Sequence, residues 1–140
     1  MPVWGYLTGA LVGQTRVLLA AGRNDEADRL LSEIVELRES LEPYFAPDLA
    51  VALVDLGRGA EFSPIVARPS IWFDAAKAFA AGDCVGAADL YAEIGSLPDE
   101  ADARLRSGIE TEIRRALEFY RSVGATRYIR EAEAQLAASA

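Results

Sequence analysis

Twelve residues from Arg16 to Ala27, RVLLAAGRNDEA, are echoed sixty positions later by AKAFAAGDCVGA from Ala76 to Ala87. In each copy an apolar run ends in Ala-Ala-Gly, a polar turn follows, and an alanine five residues past the glycine opens a second apolar run. Glycine commonly ends a helix because it enters the left-handed region without a steric penalty, and apolar residues recurring every three or four positions form one helix face. The duplicated unit is therefore a helical hairpin. A hairpin that recurs along one chain restricts it to stacked helix pairs.

The rest of the chain fits that frame. After Gly22, the residues Ala27, Leu30, Leu31, Ile34 and Leu41 keep helical spacing, and Asn24 or Asp25 is expected to cap the helix start. Ala87, Leu90, Tyr91 and Ile94 repeat the pattern. A less regular copy has the stripe Leu49, Ala52, Leu53 and Leu56, followed by the turn Gly57-Arg58-Gly59. Its second helix is expected to be short, over Glu61–Ala67, because Pro64 and Pro69 interrupt it. Pro69 or Ser70 is expected to start the helix carrying Trp72, Phe73 and Phe79. Beyond Pro98, the acidic residues Asp99, Glu100 and Asp102 suit the positive end of a helix dipole. A longer helix, interrupted near Gly108, should run to Val123 with Ile109, Ile113, Ala116, Leu117 and Tyr120 inward. Gly124 is the expected stop and Thr126 the expected cap of a last helix.

The 140 residues suffice for one domain, and the hydrophobic fraction of 51% argues against disorder. A net charge of -8 disfavours nucleic acid and anionic membranes as partners. Histidine is absent, which removes the commonest general base and metal ligand, and Lys77 is the single lysine. Cys84 is the single cysteine, so no internal disulfide forms, in keeping with a reducing cytoplasm. The apolar stretch Val3–Gly22 lacks the basic start of a signal peptide, and Gln14, Thr15 and Arg16 break it short of a membrane span.

The hairpin pattern, with Gly22 and Ala27 in one copy and Gly82, Ala87 and Tyr91 in another, resembles tetratricopeptide repeats. Gly22 and Gly57 lie 35 residues apart, near the period of about 34 in such arrays, although Gly57 to Gly82 is ten shorter. More narrowly, LGRG at 56–59, AFAAGD at 78–83, DLYAEIGSLPDEA at 89–101 and ALEFYRSVGATRYIREAEAQLAASA at 116–140 look like the C-terminal repeat tail of multidomain bacterial signalling proteins. Those are signal-responsive ATPases, some with an adenylate or guanylate cyclase domain and others with a transcriptional-regulator domain. The resemblance covers most of the chain and is strongest after Leu56. It implies a sensing or assembly scaffold. Two departures stand out: no GxxxxGK[ST] loop occurs, so the relatives' nucleotide chemistry does not carry over, and the stretch from Arg104 to Ala116 is shortened.

The resemblance implies a concave groove lined by the first helices of successive hairpins. Its register places Val12, Arg16 and Leu19, then Tyr44, Val51 and Asp55, then Trp72, Ala76 and Phe79 on that groove. Trp72 is then an apolar anchor for a peptide and Arg16 a reader of its carboxylate; the competing account makes Trp72 and Phe79 ordinary core. The acidic group Asp99, Glu100 and Asp102 lacks the spacing of a calcium loop. Seven arginines between Arg104 and Arg130 interleave with glutamates, which favours pairing along helix faces over contact with nucleic acid. Cys84, in a turn or the first turn of a helix, is expected to be an unremarkable small residue, with a redox switch whose thiol pKa the dipole lowers as the alternative.

These readings predict an all-α chain: a short tetratricopeptide-like solenoid forming a single domain over 1–140. Its approximate hairpins are 3–41, 43–67 and 70–96, with C-terminal capping helices over 99–138. The expected role is a cytoplasmic, non-enzymatic scaffold or regulatory tail that binds a protein or peptide without cofactor or metal. A small-molecule sensor around Trp72 and a self-associating domain stay open as alternatives. The latter would be a homodimer through the N-terminal Val3, Trp4, Tyr6 and Leu7.

Overall fold

The computed structural model describes residues 3–37, 41–62 and 69–140, with side chains from residue 7 onward. Within these the fold is all-α, with eight helices and no strand: α1 (Val3–Ala20), α2 (Asn24–Glu36), α3 (Ala46–Asp55), α4 (Ile71–Ala80), α5 (Cys84–Ile94), α6 (Leu97–Arg106), α7 (Glu110–Val123) and α8 (Thr126–Ala138). The chain divides into two compact units, Met1–Ala81 and Gly82–Ala140.

In the first unit α1 packs on α2 and α3, and α3 packs on α4. The α1–α2 hairpin turns at Gly22, whose φ is +74°. There the Arg23 amide donates to the Leu18 carbonyl at 2.9 Å and the Gly22 amide to Leu19 at 3.0 Å. The same pair of bonds recurs around Gly57, from Arg58 to Leu53 and from Gly57 to Val54. These satisfy carbonyls left over at a helix end. Helix α3 is apolar on nearly every side, and Leu49, Ala50, Val51, Ala52 and Leu53 are all buried. Such a helix must lie inside a core. Thr8, Val12 and Thr15 form the buried side of α1, where the Thr15 hydroxyl donates to the Leu11 carbonyl at 2.9 Å.

In the second unit α5 packs on α6, α6 on α7 and α7 on α8. Its core joins Ala101 and Leu105 of α6 to Ile113, Ala116, Leu117 and Tyr120 of α7 and Ala132 of α8. The Tyr120 and Tyr128 rings stack at 5.0 Å.

Several local expectations hold. Ser70 caps α4 by accepting from the Trp72 amide at 3.2 Å, and Gly124 ends α7 in the left-handed region. The helix expected from Asp99 to Val123 breaks at Ser107–Ile109, where the Ser107 hydroxyl donates to the Arg104 carbonyl and accepts from the Ile109 amide. Ile109 consequently precedes α7 and is 47% exposed, not inward-facing as expected.

Two expected caps are corrected. Asn24 is already helical, and the preceding residue, Arg23, makes no side-chain cap; its guanidinium donates to Glu26 instead. Thr126 is likewise the first residue of α8, and Ala125, which occupies the cap position, has no side-chain oxygen to offer. The short helix expected over Glu61–Ala67 is seen only at its start, where Gly59–Glu61 form a 3-10 turn, and 63–67 fall outside the described residues. The side chains of Val3, Trp4 and Tyr6 also fall outside them. No helix among the described residues is long and apolar enough to cross a membrane.

Candidate functional site

In the second unit a cleft of about 350 Å³ opens along α6 and α7, with Leu97, Ala101, Ala116 and Phe119 as its apolar lining and Glu100, Arg104, Arg115, Glu118 and Ser122 as its polar groups. Helix α6 is built to hold this arrangement. Asp99 and Glu100 occupy its first turn and Arg104 and Arg106 its last, each sign at the end of the dipole that favours it. The Ser96 hydroxyl donates to Asp99 at 2.5 Å and steadies the helix start.

Arg104 anchors the cleft. Its side chain is 2% exposed and its guanidinium donates to three carboxylates: Nε to Glu100 at 2.9 Å, Nη2 to Asp89 at 3.2 Å, and Nη1 to Glu112. One residue of α6 is thereby fastened to α5 and α7. Burial works against the guanidinium charge, but the hydrogen bonds it donates to Glu100, Glu112 and Asp89, with the negative charge of Glu112, outweigh it and hold the group above its ordinary pKa. A planar five-donor fork suits this task as a lysine point charge does not. Glu112 also receives Arg115 at 3.5 Å, and Arg115 extends to the rim, 56% exposed.

The other acidic groups at the start of α6 are engaged as well. Asp102 pairs with Arg106 at 3.1 Å. The expected pairing of arginines with glutamates along helix faces is found at Arg114–Glu110, 2.7 Å, and across helices at Arg121–Glu133, 2.8 Å. Among the described residues no buried side-chain nitrogen or oxygen lacks a hydrogen-bond partner, and no cluster of three His, Cys, Asp or Glu is arranged to hold a metal ion. Cys84 does begin α5, but its thiol pKa is raised, not lowered. Burial is the main cause, with Asp102 and Asp83 adding to it and Arg106 opposing.

The residues assigned to a groove all lie in the first unit and differ in accessibility. Val51 and Phe79 are buried at 6% and 4% exposure, beside Val12 and Ala76 in the core. Leu19 and Trp72 are half-buried, whereas Tyr44 and Asp55 are exposed, Tyr44 with its ring 4.7 Å from that of Phe45. Arg16 already holds a carboxylate of its own chain, donating to Asp48 at 2.5 Å.

Sequence reasoning did not single out Arg104 or Phe119. Of the contacts Arg104 makes, only the one to Glu100, four residues back, is legible as helix spacing. No protein-family model, curated protein or solved structure matches this chain.

Proposed function

We propose that this chain is a non-enzymatic protein-interaction module, a short tetratricopeptide-like helical array acting in the cytoplasm as a scaffold or as the regulatory tail of a bacterial signalling protein, and that its partner-binding site is the α6–α7 cleft. The carrying observation is the division of labour in that cleft. Its charged anchor, Arg104, is consumed in tying three helices together, while the apolar surface left for a partner is Leu97 and the half-buried Phe119 over a floor of buried Ala101 and Ala116, edged by Arg115 and Glu118. An apolar centre with a charged rim is the anatomy of a protein-recognition surface. The recurrence of one turn geometry at Gly22 and Gly57, and the packing of α1 on α3 and α3 on α4, support the repeat reading. A small-molecule ligand is the second reading, favoured by a cleft volume inside the usual range of about 300–1,000 Å³ for such sites.

Leu97→Glu tests the first reading. Leu97 is 53% exposed in the first turn of α6, where an acidic residue is welcome, so the fold should survive. In a quantitative pull-down, a protein retained by the intact chain and lost by an equally stable Leu97→Glu chain supports the cleft. Equal retention by both, or saturable turnover by the purified chain, would overturn the proposal. A metabolite that raises the melting temperature of the intact chain but not of the variant would favour the second reading.

A further inference from the structure

The α6–α7 cleft carries more negative charge than its two arginines balance. Arg104 meets three carboxylates, Glu100, Asp89 and Glu112, with a single guanidinium. Arg115 brings a second positive charge, but it leans on Glu112 at 3.5 Å, a carboxylate that Arg104 already holds. Glu118 is a fourth carboxylate, exposed on the rim and joined to no cation among the described residues. Four carboxylates against two guanidiniums leave an excess of two negative charges around one apolar opening. The chain as a whole has the same sign, at -8.

Phe119 adds an independent observation. It follows Glu118 in α7, it is half-buried, and its ring is held against the core of the second unit, 5.7 Å from the ring of Tyr120. It also lines the cleft with Leu97, which is 53% exposed. The face of an aromatic ring attracts a cation placed within about 6 Å of its centre, and the attraction grows as water is excluded. A fixed ring beside an unpaired carboxylate suits a cationic side chain.

We infer that the cleft takes a basic segment of a partner protein, in which one apolar side chain seats on Leu97 and Phe119 while a neighbouring arginine lies against the Phe119 ring and pairs with Glu118. This rests on the α6–α7 cleft being the partner site, and it adds the chemistry of the partner. Charge complementarity selects that chemistry. A basic segment is drawn toward the acidic chain and supplies the positive charge that the cleft lacks. An acidic segment would find Arg115 already shared with Glu112, and would meet Glu118 as a like charge. Arginine fits better than lysine because its planar guanidinium can stack on a ring and bond a carboxylate at once. A volume of about 350 Å³, at the small end of the range of about 300–1,000 Å³ for ligand sites, suits a few side chains of one segment.

The test is selection of displayed random peptides on the full chain, with counter-selection on Leu97→Ser. That variant loses the apolar seat without gaining charge, so it removes peptides that merely adhere to an acidic surface. The enriched peptides should carry an arginine close to a large apolar residue. Their affinity, read by fluorescence anisotropy, should weaken as salt rises and fall by about two- to fivefold in Glu118→Gln, the range expected for one exposed ion pair. Glutamine is as good a helix former as glutamate at this exposed position, so the fold is kept. Enriched peptides that are neutral or acidic, or basic ones indifferent to Glu118→Gln, would overturn this inference and leave the cleft as the binding site. If no peptide prefers the intact chain to Leu97→Ser, the cleft reading fails and the inference falls with it.

Discussion

Arg104 shows how much one side chain carries. Removing a single partner from a buried charge network leaves the others desolvated without compensation, which costs about 3–5 kcal/mol. Arg104→Met should therefore destabilise the second unit by about 3 kcal/mol, seen as a lower denaturant midpoint. Arg104→Lys should recover less than half of that, because one ammonium cannot reach carboxylates on α5, α6 and α7 with the geometry of a guanidinium. A lysine variant as stable as the wild type would show that charge alone, without the fork, holds the three helices. The importance of this residue was hidden in the sequence for a physical reason. Glu100 lies on the same helix face four residues away, but Asp89 is fifteen positions upstream and Glu112 eight downstream, beyond the turn at Ser107–Ile109. Only packing brings them together.

At the scale of the helix, two glycines of α1 should respond in opposite ways to the same substitution. Gly9 is buried under the Phe45 ring, and a Cβ there would run into it. Gly9→Ala should lower stability by about 1–2 kcal/mol, the ring displacement outweighing the gain in helix propensity. Gly13→Ala has open space and should stabilise the monomer by about 0.5–1 kcal/mol. Thermal melts of dilute samples read both signs.

A second helix-scale device is Arg58, which donates to Glu61 at 2.6 Å and 2.9 Å and to Asp28 at 2.9 Å, clasping α2 to the turn after α3. The Arg58 hydrogen bond holds Glu61 below the ordinary carboxylate value of 4.5. A depressed carboxylate stabilises the fold above its unfolded pKa, and that contribution is lost as the pH falls through its folded value. Wild type and Arg58→Met should therefore differ at neutral pH and converge as the pH falls below the ordinary carboxylate range in urea titrations. Most helices were legible because apolar spacing and the glycines at 22, 57, 82 and 124 mark faces and ends. The starts of α2 and α8 were less so. Asn24 and Thr126 are good capping residues one position too late, a difference set by how each turn closes and not by side-chain preference.

For the molecule as a whole, the acidic balance turns salt into a discriminating variable. Two chains of the same net charge repel at long range, and the screening length contracts from about 30 Å at 0.01 M salt to about 8 Å at 0.15 M. Were copies of the chain to associate through apolar contact, that association should strengthen as salt rises, because repulsion is screened while apolar burial is not. A basic protein partner drawn to this acidic chain would behave in the opposite way, its capture weakening with salt as attraction is screened. The Leu97→Glu chain separates the two effects, since it should lose any salt-weakened capture at the α6–α7 cleft and leave contact elsewhere unchanged. Sedimentation equilibrium and pull-down across a salt series thus distinguish self-association from capture of a partner. A capture that strengthens as salt rises would mean that apolar contact with Leu97 and Phe119, and not the acidic balance of the chain, holds the partner.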